Sequence, residues 1–143
     1  MCGLFKNVVA FVMGMVHALG YGENAKAMLF CFAMHELLGL MSAIGAERAT
    51  AYSYAGLGDA LLSGYAATSR NFQAGVASCT VEDGARTQGL AESAKNIADL
   101  YAYMQRYSAF SSLVNATWNV LENKQRPQRV IDELYRRVCK EIG

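Results

Sequence analysis

The stretch AKAMLFCFAMHELLGLMSAI, residues 25–44, decides the fold class of this chain. Apolar side chains follow one another through it almost without a break, and His35 and Glu36 interrupt them. A helix that is apolar on every side is surrounded by other helices, so we expect this one at the centre of the fold. Glu36 then needs a partner, and we expect either a salt bridge or the N-terminus of another helix.

The segments on both sides of this stretch also carry helical signals. Residues 5–19 are apolar on nearly every face, and Gly14 suggests close contact with a neighbour. Pro127 suits the first turn of a closing amphipathic helix. No apolar run alternates cleanly enough to indicate a strand. We therefore predict one all-α, multi-helix domain over residues 1–143. The predicted helices lie at 5–19, 25–44, 59–64, 90–107 and 109–122, from Arg70 and from Pro127, and the most loop-like region lies at 75–90.

Composition argues against two classes of protein. Hydrophobic residues make up 53% of the chain, and 13 Lys and Arg against 12 Asp and Glu give a net charge of +1. A nucleic-acid groove needs a basic stripe, so we expect no nucleic-acid partner. The uncharged stretch at 7–22 is shorter than the ~20 residues of a spanning helix, so we expect no membrane span. A small membrane protein built on residues 8–19 and 27–40 is the weakest alternative.

The four cysteines and two histidines form no metal-binding pattern. They are spread along the chain as Cys2, His17, Cys31, His35, Cys79 and Cys139. We expect reduced, structural cysteines, two of them (Cys31 and Cys139) acting as small hydrophobes in helices, and histidines buried in the core. These expectations predict a cytoplasmic protein without a bound metal.

A second stretch, AGLGDALLS at residues 55–63, carries polar groups that chemistry could use together with Ser69-Arg70-Asn71. Its two glycines flank Leu57 and lead into Asp59, which could cap a helix or face a cleft. Arg70 offers a planar fork of donors that matches a carboxylate or a phosphate. On these residues alone, the preferred interpretation is a turn, a helix cap and a surface arginine.

Lys6 precedes the apolar first helix, where a lysine is usually the solvated end of a buried segment. If it is partly desolvated instead, it could exchange a proton near neutral pH, and Asp59 is the natural carboxylate to hold it. The tyrosines near the glycine-rich turn, Tyr52, Tyr54 and Tyr65, could line a pocket, but we expect them to pack in the core.

Four segments, taken in order, carry a resemblance to a known family. They are CGLFKNVVA at 2–10, LGYGENAKA at 19–27, AGLGD at 55–59 followed by TSRN at 68–71, and the closing segment from Leu113 to Leu134. Together they resemble the C-terminal, substrate-binding domain of NAD(P)-dependent glycerol-3-phosphate dehydrogenases. The resemblance covers essentially the whole chain, and the ordered set is specific although each motif alone is weak.

The resemblance implies a role for each residue that matches a family motif. Lys6 matches the catalytic lysine, a general acid and base on the substrate's C2 oxygen, and Asp59 matches the carboxylate that orients and charges it. Arg70 matches an arginine that, with the residue after it, holds the substrate phosphate and lies near the cofactor. The other matched positions, which contact the substrate or, for the last, the cofactor, are Asn7, Ser63, Asn71 and Gln88.

The sequence departs from the family at three places. His17 and Glu23 stand where the family usually has aspartate, and Phe72-Gln73 replaces a basic pair. The family's dinucleotide-binding domain is also expected to be absent, because this chain begins at Met1, a few residues before Lys6.

The resemblance thus implies the substrate-binding half of an oxidoreductase of carbohydrate and glycerol phospholipid metabolism. Such an enzyme interconverts sn-glycerol 3-phosphate and dihydroxyacetone phosphate with NAD or NADP, which the N-terminal domain mainly binds. We expect this chain alone to be inactive, and to form a homodimer through exposed apolar patches. The alternative is a non-catalytic helical interaction module that keeps the fold.

Overall fold

Seven α-helices account for most of the chain in the computed structural model, which describes residues 1–80 and 88–142, without the side chains of Gln88 and Ile142. A 3₁₀ helix at Arg48–Tyr52 and a π-helical turn at Tyr54–Gly58 precede the third of them, and the described residues contain no strand. The prediction of an all-α fold is confirmed. The helices are α1 Cys2–Ala18, α2 Glu23–Ala43, α3 Asp59–Tyr65, α4 Arg70–Thr80, α5 Gln88–Arg106, α6 Ser112–Leu121 and α7 Pro127–Ile142.

The helix at the centre of the fold is α1. Every residue from Val8 to Val16 is buried, and α1 packs against each of the other six α-helices. The prediction that residues 25–44 form the central helix is therefore wrong. On α2, Cys31, His35 and Gly39 are exposed, and residues four apart lie on one face of a helix. These three small or weakly polar residues form a stripe that faces solvent. The apolar composition of α2 does not indicate this stripe.

The crossing of α1 and α4 depends on two glycines. A Cβ atom on Gly14 would collide with the carbonyl oxygen of Phe72, and one on Gly75 would collide with the carbonyl oxygen of Phe11. The two backbones therefore touch directly, which confirms the close contact expected at Gly14. This contact fixes the position of α4 against the central helix. Arg70 is the first residue of α4, so its backbone position is fixed as well.

Glu36 joins α2 to the start of α6. One carboxylate oxygen accepts a hydrogen bond from the Ser111 hydroxyl at 2.6 Å and one from the Leu113 N–H at 3.1 Å, and the other accepts the Ser112 N–H at 2.6 Å. The first N–H groups of a helix have no intrahelical acceptor, and they favour negative charge. The expected partner of Glu36 is confirmed as a helix N-terminus.

Several local expectations are wrong. Residues 75–80 belong to helix α4, and α5 already begins at Gln88, while residues 81–87 lie outside the described part. Small residues there, such as Gly75, allow close packing rather than a loop. Ser111 caps α6 by accepting the N–H of Val114 at 3.2 Å, so that helix begins at Ser112 rather than at residue 109.

The polar and aromatic side chains expected in the core lie on the surface. All four cysteines are free, but Cys31 and Cys139 are exposed, as are both histidines. Tyr52 and Tyr54 are 63% and 76% exposed, and Tyr65 is exposed as well. The central core is filled by aliphatic and phenylalanine side chains of α1 and its neighbours, which leaves these residues outside it.

By length and composition, α2 could cross a membrane, since it has 21 residues and its most apolar 18-residue stretch has a mean hydropathy of 1.3. The core helix of a soluble protein passes the same test, and 44% of the most apolar part of α2 is buried within the fold. The apolar α1 is shorter, at 17 residues.

Candidate functional site

Lys6 and Asp59 form an ion pair at the edge of the core. Lys6 lies in the second turn of α1, and its Nζ donates a hydrogen bond to Oδ2 of Asp59, the first residue of α3, at 2.6 Å. The two side chains are 29% and 28% exposed. This confirms that Asp59 is the carboxylate that holds Lys6. The pair is ordered by its charge-assisted hydrogen bond and remains accessible to a ligand.

The short helices before Asp59 explain its position. A Cβ atom on Gly56 would collide with the backbone of Ala51, so the π-helical turn packs directly on the 3₁₀ helix. Gly64 then faces the side chains of Val9 and Met13, which brings α3 close to α1. The N-cap position of α3 is Gly58, and the described hydrogen bond of the Asp59 carboxylate is to Lys6. Of the two roles that the sequence left open, a helix cap or an acid facing a cleft, the structure therefore excludes the cap.

Asn7 and Ser63 lie on the same two helices as this pair, Asn7 on α1 with Lys6 and Ser63 on α3 with Asp59. Asn7 follows Lys6 on α1, and Ser63 is four residues after Asp59 on α3, so it lies on the same helix face one turn later. Both are half-buried, and neither side chain makes a hydrogen bond to the described residues. Their amide and hydroxyl groups are thus available to a bound molecule.

Arg70 and Asn71 begin α4 and have different surroundings. The Arg70 side chain is 85% exposed, and its Nη1 lies 3.6 Å from Oε2 of Glu92, too far for a hydrogen bond. Asn71 is half-buried, and its Oδ1 accepts a hydrogen bond from the Ser93 hydroxyl at 3.0 Å. No hydrogen bond or ion pair within the described ranges links these two residues to Lys6 or Asp59. Gln88 begins α5, but its side chain lies outside the described residues.

Sequence reasoning missed Glu92 and Ser93. They occupy consecutive positions on α5 and contact Arg70 and Asn71, which are consecutive on α4. No motif marks either residue, and only the packing of α4 against α5 brings them to the site.

Three of the residues expected to differ from the family, His17, Glu23 and Phe72, lie near Lys26 or near one another. Lys26 Nζ donates to Oε1 of Glu23 at 2.7 Å and lies 3.4 Å from Nδ1 of His17, whose ring is 5.5 Å from that of Phe72. The Lys26 side chain is only 12% exposed. These three residues therefore contact one another or share Lys26, and none of them contacts Lys6 or Asp59 through a described polar interaction.

No three His, Cys, Asp or Glu residues in 1–80 and 88–142 form a group that could hold a metal ion. A cleft of about 210 Å³ lies between α6 and α7, where it is lined by Asn115, Asn119 and Arg137 among others. None of the residues predicted for the site lines this cleft.

Comparisons with known proteins show the family of this chain. A family model described as NAD-dependent glycerol-3-phosphate dehydrogenase C-terminus matches residues 1–132. Glycerol-3-phosphate dehydrogenase (NAD(P)+) of Leuconostoc citreum is 30% identical over an aligned length of 149 residues. The alignment covers 94% of this chain and 41% of that protein. The Thermus thermophilus protein of the same name is 47% identical over 73 residues, covering 51% of this chain and 23% of its own length.

A crystal structure has the same fold. The glycerol-3-phosphate dehydrogenase of Coxiella burnetii matches with a TM-score of 0.84 and 28% identity, over 94% of this chain and 42% of the other. This chain thus spans less than half the length of these relatives. The matched part carries the helices that bear Lys6, Asp59 and Arg70. The chain therefore belongs to the NAD-dependent glycerol-3-phosphate dehydrogenase family, where it corresponds to the C-terminal domain.

Proposed function

We propose that this chain is the substrate-binding and proton-transferring part of an NAD(P)-dependent glycerol-3-phosphate dehydrogenase. The reaction interconverts sn-glycerol 3-phosphate and dihydroxyacetone phosphate. The observation that carries the proposal is the Lys6–Asp59 ion pair, 2.6 Å long and partly exposed. The names of the relatives, of which this chain covers less than half, support the substrate.

Lys6 acts on the oxygen of substrate carbon 2. In the reducing direction its ammonium gives a proton to that oxygen, and in the oxidising direction its neutral amine takes the proton from the hydroxyl. Asp59 directs Nζ through the hydrogen bond and stabilises its charge. The nicotinamide, when bound, supplies or accepts the hydride at carbon 2. Asn7 and Ser63, half-buried beside the pair, contact the substrate.

Arg70 and Asn71 hold the substrate phosphate. The guanidinium offers paired donors that match phosphate oxygens, and its exposed ion pair with Glu92 costs little to exchange for a phosphate. The Asn71 amide adds a further donor at the start of the same helix.

NAD or NADP is held mainly by a dinucleotide-binding domain, with Arg70 and Gln88 at the edge of the cofactor. The described residues contain no strand leading into a glycine-rich turn, the usual cradle for a dinucleotide pyrophosphate. Arg70 is largely exposed, so its positive charge is accessible to a cofactor phosphate that the dinucleotide-binding domain holds. We therefore expect no turnover of dihydroxyacetone phosphate with NADH or NADPH by this chain alone. Measurable turnover would contradict this division of roles.

The chain associates through an exposed apolar segment, residues 52–65, and forms a homodimer. This segment carries Tyr52, Tyr54, Leu61, Leu62 and Tyr65, all exposed by 43% or more. Exposed apolar residues concentrated in this way are typical of interaction surfaces. Sedimentation at increasing concentration tests the dimer, and Leu62→Glu should shift it towards the monomer. A wild-type chain that stays monomeric would contradict this part of the proposal.

The protein acts in the cytoplasm. Its four cysteines are free in the structure, and free thiols persist in reducing compartments. Recovery of the protein with the soluble cytoplasmic fraction, rather than with membranes or outside the cell, would check this.

A titration with glycerol 3-phosphate tests the substrate site. Binding is followed calorimetrically with this chain alone and with a dinucleotide-binding domain and NAD added in trans. We expect saturable binding, and a loss of about tenfold or more in affinity for Arg70→Ala, because a charged hydrogen-bonding group is removed. Arg129→Ala is the matched control, since Arg129 is also exposed, at 72%, and paired with a glutamate, but on α7.

Two outcomes decide between the dehydrogenase and the non-catalytic module. Binding that depends on Arg70 but not on Arg129 supports the dehydrogenase. No binding of glycerol 3-phosphate in the presence of the added domain and NAD contradicts it and favours the interaction module.

A further inference from the structure

Two consecutive residues of α5 meet two consecutive residues of α4. Glu92 faces the exposed Arg70 at 3.6 Å, whereas Ser93, only 3% exposed, donates a hydrogen bond to Oδ1 of Asn71 at 3.0 Å. The first contact is loose and solvated. The second is ordered, because a buried hydroxyl needs a hydrogen-bond partner and the half-buried Asn71 provides it.

In this hydrogen bond the Ser93 hydroxyl donates and Oδ1 accepts, so the Asn71 amide has one of its two orientations. A side-chain amide carries an acceptor oxygen on one branch and a donor NH₂ group on the other. With Oδ1 turned to Ser93, Nδ2 occupies the other branch and keeps its donors for another partner. No described hydrogen bond uses them. The reverse orientation would put the acceptor oxygen on that side, where it would repel a phosphate oxygen.

The neighbouring arginine does not need such selection. Every polar atom of a guanidinium is a donor, so Arg70 can meet a phosphate in any rotation. The amide can meet one in a single orientation only. In the structure, the ordered, buried contact from α5 reaches Asn71, whereas Arg70 has the solvated one.

We propose that Ser93 is a positioning residue for the phosphate-ester site. Its hydroxyl holds the Asn71 amide with Nδ2 directed to a phosphate oxygen of the ligand. Ser93 itself does not touch the ligand and acts through Asn71. The inference rests on the function proposed above, because it takes the phosphate ester as the molecule that Asn71 meets.

The test is a double-mutant cycle on the affinity for glycerol 3-phosphate, with the dinucleotide-binding domain and NAD added in trans. We expect Ser93→Ala to weaken binding by about tenfold, the loss of one well-placed hydrogen bond. In the Asn71→Ala background, Ser93→Ala should cause no further loss, because its effect passes through Asn71. Thr117→Val is the matched control. It removes another buried hydroxyl, one that donates to the Leu113 carbonyl oxygen within α6, and it should leave affinity unchanged.

A second measurement needs no ligand. The side-chain NH₂ signals of Asn71 in the nuclear magnetic resonance spectrum should shift in Ser93→Ala and stay near their wild-type positions in Ser93→Thr, which keeps the hydroxyl. If Ser93→Ala does not fold, Ser93→Cys replaces it in both measurements, since it keeps the volume and weakens the donor.

The outcomes separate the inference from the proposed function. If wild-type protein binds glycerol 3-phosphate and Ser93→Ala has no effect, or the same effect with and without Asn71, the positioning role is wrong and the proposed function stands. If wild-type protein binds no glycerol 3-phosphate, the proposed function fails and this inference fails with it. Loss in Ser93→Ala that disappears in the Asn71→Ala background supports both.

Discussion

The carboxylates of Glu36 and Asp59 both join helices that are distant in the sequence, yet their surroundings differ. Glu36 accepts three hydrogen bonds at the start of α6, one from a hydroxyl and two from backbone N–H groups. Asp59 accepts one, from Lys6, and its side chain is 28% exposed. A carboxylate whose acceptor sites are filled by the fold stabilises the fold. One that is exposed and paired with a single lysine can serve a reaction, and the following predictions test that distinction.

The largest effect is expected from Lys6→Met, assayed as NADH oxidation by dihydroxyacetone phosphate with the dinucleotide-binding domain added in trans. Removal of the proton donor should lower kcat by about a thousandfold, as is typical of general acid–base catalysis. Lys26→Met is the control, since Lys26 also forms an ion pair with a carboxylate, that of Glu23. A kcat of Lys6→Met within tenfold of the wild-type value would show that the exposed Lys6–Asp59 pair does not serve the reaction.

The next effect is on stability, and it belongs to Glu36. Glu36→Ala leaves the Ser111 hydroxyl and two N–H groups of α6 without their acceptor, at a cost of about 3 kcal/mol in the free energy of unfolding. We expect the melting temperature, followed by circular dichroism, to fall by about 10 °C. A fall of one or two degrees would show that the contact contributes little.

Asp59→Asn should reverse this pattern. The Lys6–Asp59 pair is partly exposed, and pairs of this kind contribute about 1 kcal/mol or less to stability. We therefore expect a small change in the melting temperature but a large loss of activity in the trans-complemented assay. Glu36→Gln, measured in parallel below its own melting transition, should keep most of the activity. Equal effects of the two substitutions on both properties would contradict the distinction.

The smallest effect concerns a third carboxylate, that of Asp132. The hydrogen bond from the Tyr21 hydroxyl, 2.6 Å long, and then that from Gln128, hold the pKa of Asp132 below its ordinary value of 3.8. Because the pKa is lower in the folded state, this contribution to stability is present above about pH 4 and is lost as the pH falls through the folded-state pKa. Tyr21→Phe should therefore flatten the fall in melting temperature below pH 4.

The control for this acid limb is Tyr54→Phe, because Tyr54 is 76% exposed. It should leave the pH dependence of the melting temperature unchanged. An acid limb that is equally steep in Tyr21→Phe and wild type would show that Asp132 gains nothing from Tyr21.

Sequence reasoning predicted the parts of the site that depend on residue type. A lysine at the start of an apolar helix and a carboxylate after a glycine-rich turn are complementary, and they do pair. A glutamate in an apolar helix requires donors, and it finds a helix N-terminus. The roles of Asn7, Ser63, Arg70, Asn71 and Gln88 remain predictions, and the first four residues are exposed or half-buried.

Other features could not be predicted because they depend on which faces meet. Tyr52 and Tyr54 have large aromatic side chains of the kind found in cores. They lie on the surface because other side chains fill the core. Ser93 has no motif at all, and it reaches Asn71 because α4 and α5 pack side by side. The stripe of Cys31, His35 and Gly39 on α2 is likewise set by the neighbours of that helix.

The sequence by itself determined the helical class, the family and the need of Lys6 and Glu36 for partners, because these follow from periodicity, motif order and the cost of burying charge. The tertiary structure alone decided that α1 rather than α2 is central and that Ser93 donates a hydrogen bond to Asn71. The physical reason is that apolar content measures how much surface a helix can bury, whereas the packing of backbones, as at Gly14 and Gly75, decides which helix is surrounded.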